Sequence, residues 1–144
     1  MRVAAAAFRV ALETTPDLCT PSLARFPRGA CGDVSELLGQ YLRDAGLGTW
    51  LYRSGVKHEP AFASHAWIES EGLIVDITAD QFPAVREPVI VAAASAWHAA
   101  WESGPARRPA DLSYFGPGLT AARQDYAILR ATADALNRAD GAAG

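Results

Sequence analysis

The chain has 144 residues, half of them apolar and a fifth charged, which suits one domain (1–144) with a substantial core and excludes a disordered polymer. Lys and Arg number 13 against 16 Asp and Glu, a net charge of −3, so the basic excess of a nucleic-acid binder is missing. The longest apolar run, Val89–Ala94, is far shorter than the ~20 residues that span a bilayer.

Taken in order, Arg2–Thr14 reads as an amphipathic helix with Ala4, Phe8, Ala11 and Leu12 on one face, stopped by Pro16. Its apolar stretch Val3–Ala7 is too short for a signal peptide and Arg9 interrupts it, so a cytoplasmic protein without membrane association is expected. Residues 15–30, with Pro16, Pro21, Pro27 and Gly29, read as loop. A helix follows over about Gly32 to Ala45. Val34, Leu37, Leu38, Tyr41, Leu42 and Ala45 form its buried stripe, Gly46 ends it, and Cys31 stands at its N-terminal edge.

Strands are predicted at Thr49–Arg53, Ser64–Glu69, Leu73–Thr78 and Val89–Ala92, the middle two joined as a hairpin through Ser70-Glu71-Gly72. Trp97–Trp101 suggests a short helix, residues 103–118 a loop, and Thr120–Asn137 a last helix on a Tyr126, Leu129, Ala133, Leu136 stripe. Helices, then antiparallel strands, then a helix define an α+β protein.

Three segments carry chemistry: Arg28-Gly29-Ala30-Cys31-Gly32-Asp33, Ser64-His65-Ala66-Trp67 and Val75-Asp76-Ile77-Thr78. A thiol becomes a good nucleophile only as thiolate, which unpaired N–H groups at a helix start and a nearby imidazolium both favour. Cys31 has that setting, and the same N–H groups suit an oxyanion. Cys19 lacks it and reads, like most isolated cysteines, as a buried thiol packed as a small hydrophobe. No disulfide framework is expected from two cysteines.

Alternation places His65, Trp67 and Glu69 on one strand face, and Ile74, Asp76 and Thr78 on one face of the next. An even hairpin loop with pairs summing to 141 sets His65 opposite Asp76, where the carboxylate can fix the imidazole tautomer. An odd loop sends Asp76 to the other face unless a bulge intervenes. Asp80 is the rival orienting acid. Taken singly, a strand histidine and a strand-end carboxylate are more often structural.

Gly-Ala-Cys-Gly-Asp at a helix start, then Ser-His-Ala-Trp-Ile-Glu, then Val-Asp-Ile-Thr resembles the transglutaminase-like branch of the papain-like cysteine enzymes, over about residues 26–80. The resemblance implies Cys31 as nucleophile, His65 as general base and acid, and Asp76 as orienting acid, on a papain-like fold with the Cys helix packed on an antiparallel sheet and a C-terminal helix. Ile77 stands where many relatives have Pro. Papain-like peptidases carry a Gln several residues before the Cys, whereas Ala24-Arg25-Phe26-Pro27 has none. Arg28, Gly32, Trp67 and Asp80 are the remaining substrate or oxyanion candidates. Arylamine N-acetyltransferases are similar around Arg-Gly-x-Cys but longer, and the processing proteases of lasso-peptide biosynthesis are similar in size.

His58 reads as a solvated loop residue, the aromatic-flanked His98 as a residue packed on a surface helix with the rim of a cleft as its alternative, and Arg107-Arg108 as a solvated turn. A zinc site through Cys31, His65 and Asp76 lacks paired ligand spacing, so neither metal nor cofactor is expected. The expected activity is acyl transfer through a Cys31 thioester, chiefly hydrolysis of a peptide or amide bond, with peptide processing as one role. The alternatives are a transglutaminase-like, amide-forming or acyltransferase activity on a small or carrier-bound substrate, and a non-catalytic protein-binding module of the same fold. A peptide, amide or thioester is the expected partner, with room for an accessory substrate-recognition protein.

Overall fold

Alanine-rich sequence and a single apolar face make residues Arg2–Thr14 the first helix, α1, which buries Ala4, Ala5, Phe8, Ala11 and Leu12. Here the structure is a computed structural model; it describes residues 1–106 and 108–143. The second helix, α2 (Cys31–Asp44), buries Val34, Leu37, Leu38, Tyr41 and Leu42, and the Phe8 ring stacks on Tyr41 at 4.9 Å. The C-terminal helix α4 (Leu119–Ala143) packs on α1 through Ala122, Tyr126, Leu129 and Ala133. Helix α2 also lies against the sheet, and its Gly39 leaves no room for a Cβ beside Ala110.

The sheet is antiparallel throughout: β1 (Leu51–Lys57), β2 (Ala63–Ser70), β3 (Leu73–Asp76), β4 (Ile90–Ala92), β5 (Glu102–Ser103) and β6 (Arg108–Pro109). Its order is β4-β3-β2-β1-β5, with β6 also on β1. With the four-residue helix α3 (Ala96–Ala99), these elements make an α+β protein, as the sequence implies.

The β2–β3 hairpin corrects one expectation. Its register pairs Ile68 with Val75, Glu69 with Ile74 and Ser70 with Leu73, so pairs sum to 143 rather than 141. Glu71 (φ 49°) and Gly72 (φ 80°) form a two-residue turn with both residues left-handed, the geometry that matches strand twist. Parity is unchanged by the two-residue offset. Ile68 and Val75 point into the helical core, while His65, Trp67 and Asp76 share the other face, which Trp97, His98 and Trp101 cover.

Several boundaries shift for visible reasons. Strand β1 extends to Lys57 because Gly55 pairs with His65; a Cβ on Gly55 would stand 2.8 Å from that of Trp101, so glycine lets the Trp101 segment lie on the strand. Strand β3 stops at Asp76 because the carboxylate accepts from Thr78 N–H (2.9 Å) and turns the chain into a 3₁₀ turn at Ala79–Gln81.

The stretches expected as loop also hold structure: a 3₁₀ turn at Pro21–Arg25, and strands and a 3₁₀ turn (Leu112–Gly118) within 103–118. Arg107 lies outside the described residues. Arg108 is no solvated turn residue: it donates to Glu36 (2.5 Å) and lies between the Tyr52 and Tyr114 rings. Among the described residues no helix is long and apolar enough to cross a membrane.

Candidate active site

The three chemistry-bearing segments meet: one opens α2, one lies within β2 and one ends β3. Cys31 opens α2 and is half-buried, whereas Cys19, expected to pack in the core, is exposed on a segment whose backbone N–H bonds Asp125. No side chain caps this helix start, so the Gly32 N–H is left to face the Cys31 sulfur, joined there by the N–H of Ala66 from β2. His65 comes from β2 and Asp76 from the end of β3.

The imidazole bridges the other two groups. His65 Nε2 lies 2.7 Å from Asp76 Oδ2, with both side chains fully buried, and the ring also hydrogen-bonds Cys31, which leaves Nδ1 as the nitrogen that serves the sulfur. Asp76 Oδ1 is held by the backbone N–H and hydroxyl of Thr78, so the carboxylate cannot rotate without losing a bond.

Electrostatics follow from these contacts. Burial pushes the Cys31 thiol up, but the hydrogen bond and charge of His65 and the two N–H groups outweigh it and bring the thiol below its ordinary value. For His65, burial works downward; its bonds to Asp76 and Cys31 prevail and raise it to about 9. Burial of Asp76 is likewise overcome, by His65, His98 and Thr78, holding the carboxyl well below the usual range. The thiol is therefore biased toward thiolate beside an imidazole biased toward imidazolium, with a carboxylate behind it.

Two residues here escape sequence reasoning. His98 is buried, not on a surface, and its Nε2 lies 2.8 Å from the same Asp76 Oδ2. Ser95 Oγ accepts from the His98 backbone N–H and lies 2.6 Å from Nδ1, which holds the ring with Nε2 toward Asp76. The aromatic flanks Trp97 and Trp101 were the available signal. Gln81 follows Asp76 by five residues rather than preceding Cys31: its amide donates to Thr78 O (3.0 Å), lies 3.5 Å from His65 Nδ1, and its oxygen accepts from Gly29 N–H (3.4 Å). That places an amide beside the nitrogen that faces the thiol.

The other candidates divide. Gly32 contributes its backbone N–H, and Tyr52 Oη stands 3.4 Å from where a Gly32 Cβ would be. Burial pushes the Tyr52 phenol up, the Glu36 and Cys31 charges add to it, and the hydroxyl stays a donor. Trp67 is buried against His65 (5.8 Å) and His98 (5.0 Å) and bonds Glu69, so it backs the triad instead of facing a substrate. Arg28 is exposed on the loop before Cys31. Asp80 does not orient His65: both its oxygens are taken by Arg9, at 2.7 and 2.8 Å. Arg9 is drawn there because it also donates to Ile77 O and lies over the Phe26 ring.

His65, Asp76 and His98 also form the one described cluster with the composition of a metal site. Its spacing argues for hydrogen bonds. Ligands around a tetrahedral ion with bonds of about 2.0–2.1 Å sit roughly 3.3 Å apart, whereas both imidazole nitrogens stand 2.7–2.8 Å from one carboxylate oxygen. Comparisons with protein-family models, with curated proteins and with solved structures find no match.

Proposed function

We propose that the protein is a cysteine-nucleophile acyl-transfer enzyme that hydrolyses a peptide or amide bond, on a fold of the transglutaminase-like, papain-like kind. The observation that carries this reading is His65 held between Asp76 on one nitrogen and Cys31 on the other, at a half-buried sulfur. A thiol lowered beside an imidazole that a buried carboxylate orients is the setting of a reactive cysteine.

The reaction follows from the charges already present. The Cys31 thiolate attacks the carbonyl carbon, and the negative charge moves to the carbonyl oxygen, where the Gly32 N–H, the Gln81 amide and the Tyr52 hydroxyl are the available donors. The carbon–nitrogen bond breaks as the His65 imidazolium gives its Nδ1 proton to the leaving amine. Neutral His65 then takes a proton from water, whose oxygen attacks the thioester, and the thiolate–imidazolium pair returns. Asp76 keeps Nε2 protonated throughout, and His98 holds the far side of that carboxylate.

An acyl-enzyme trap tests this. A panel of peptide thioesters and activated amides is mixed with the protein and quenched in acid, and the intact mass is recorded. The expected result is an adduct on Cys31 that decays in water to free acid and is lost in Cys31→Ala. Decay to amide alone in the presence of amines would assign transfer instead of hydrolysis. An adduct that forms as fast in His65→Ala would refute the mechanism.

A further inference from the structure

We infer that the aromatic-walled cavity beside His65 is the site that selects the substrate, receiving an apolar and preferably aromatic side chain of the acyl donor. This rests on the proposed acyl-transfer activity and adds the class of substrate to it.

The cavity holds about 440 Å³ between the β1–β2 connection and the segments carrying Phe82 and Trp97. Phe62, Phe82, Pro83, Trp97 and Trp101 make most of its wall, with Lys57 at one side. Three of these rings touch the imidazole: Phe82, Trp97 and Trp101 lie 5.2, 5.3 and 5.6 Å from the His65 ring. A side chain seated there therefore stands one ring away from the group that serves the thiol, which is where the residue next to a reacting carbonyl must be.

Three observations bear on the occupant. Phe62 is 69% exposed at the rim, and a large apolar ring is left in water where it can close over a bound apolar group. Beyond Lys57 and Glu59 the lining consists of prolines, alanines and aromatic rings, which suits an apolar group. The charge of Lys57 is already spent on the faces of Trp101 (4.5 Å) and Trp97 (5.3 Å), and Glu59 on the same lining offsets it, so the cavity offers no unbalanced charge to an ionic side chain.

The test uses peptidyl chloromethyl ketones that differ only in the residue bearing the ketone: Phe, Leu, Ala, Lys or Asp. Alkylation of Cys31 is followed by intact mass, with iodoacetamide, which needs no cavity, measured alongside. The Phe probe should react at least about tenfold faster than the Ala probe, as burial of a ring implies, and Lys and Asp probes no faster than Ala. Ala84→Trp, which fills the cavity, should reduce the Phe-to-Ala ratio to about two or less. Phe62→Ser, an exposed position that the fold does not need, should lower it several-fold.

A wild-type ratio near one, with iodoacetamide still showing a low-pKa Cys31, would overturn the cavity assignment and leave the triad standing. Preference for the Lys or Asp probe would overturn it in favour of an ionic substrate. A Cys31 no more reactive than Cys19 toward iodoacetamide would remove the acyl-transfer reading and this one with it.

Discussion

Replacing Asp76 by Asn changes one atom type at the centre of the site, and its consequences can be worked out from the bonds. Oδ2 accepts from two imidazoles and Oδ1 accepts from Thr78. A carboxamide has one oxygen, so whichever way it sits, its NH₂ faces N–H donors in a place that is 2% exposed. Leaving such a group unsatisfied costs roughly 1–3 kcal/mol of stability. The charge matters more for chemistry. Raising His65 from 6.5 to about 9 corresponds to roughly 3 kcal/mol of preference for the imidazolium, at about 1.36 kcal/mol per pKa unit. Asp76 is the largest favourable cause, so in Asp76→Asn burial works against a weaker opposition and His65 falls back toward its ordinary value.

Cys31 then loses its countercharge, and a thiol returned to about 8.5 is under 1% ionised at pH 6. Iodoacetamide alkylation of Cys31 at pH 6 should fall sharply, toward the rate of an ordinary thiol. Linkage gives a second readout. A histidine whose pKa is raised on folding stabilises fully below 6.5, and that stability is lost as pH rises through about 9. Urea unfolding of the wild type should therefore weaken across that window, and Asp76→Asn should not show the loss. An alkylation rate within about threefold of wild type at pH 6 would refute the reasoning, because the thiolate would then not depend on the carboxylate.

Other outcomes follow from named contacts. Asp80→Asn should leave the pH profile of Cys31 alkylation unchanged while lowering the urea midpoint, because Asp80 serves Arg9 and not His65. Gly55→Ala should destabilise by about 1–3 kcal/mol, since its Cβ would meet Trp101 at 2.8 Å, and the urea midpoint reports it. Arg108→Ala leaves the buried Glu36 carboxylate without its cation; with Arg108 itself a third exposed, the loss should be roughly 1–3 kcal/mol, and Glu36→Gln in the same chain should recover part of it. His98→Ala should slow thioester formation more at low pH than at high pH, the signature of a weakened carboxylate support, whereas a merely structural residue would lower the rate evenly.

Local signals carried α1 and α2 well: an apolar stripe and a small residue at the C-terminal end are properties of a single segment. The Cys31, His65 and Asp76 segments could be singled out because each sets a distinctive residue on an element read from a local pattern. The register of β2 on β3 was less legible, because Ser70, Glu71 and Gly72 are all turn formers and only backbone dihedrals show that Glu71 and Gly72 make the turn. Asp80 could not be separated from Asp76 in sequence, since what removes it is Arg9, some seventy residues away. His98 and Gln81 were hidden for the same reason. Their partners, Asp76 and His65, are set by packing across the sheet, and no periodicity encodes that.

The account depends on one pair of charges, the Cys31 thiolate beside the His65 imidazolium, and alkylation against pH measures it directly. Cys31 and Cys19 are labelled with iodoacetamide from pH 4 to pH 10, and each site is scored by peptide mass in wild type and in His65→Ala. Cys31 should remain reactive well below the pH at which Cys19 loses its thiolate, and His65→Ala should abolish that difference. Coincident titration of the two cysteines in the wild type would contradict the account.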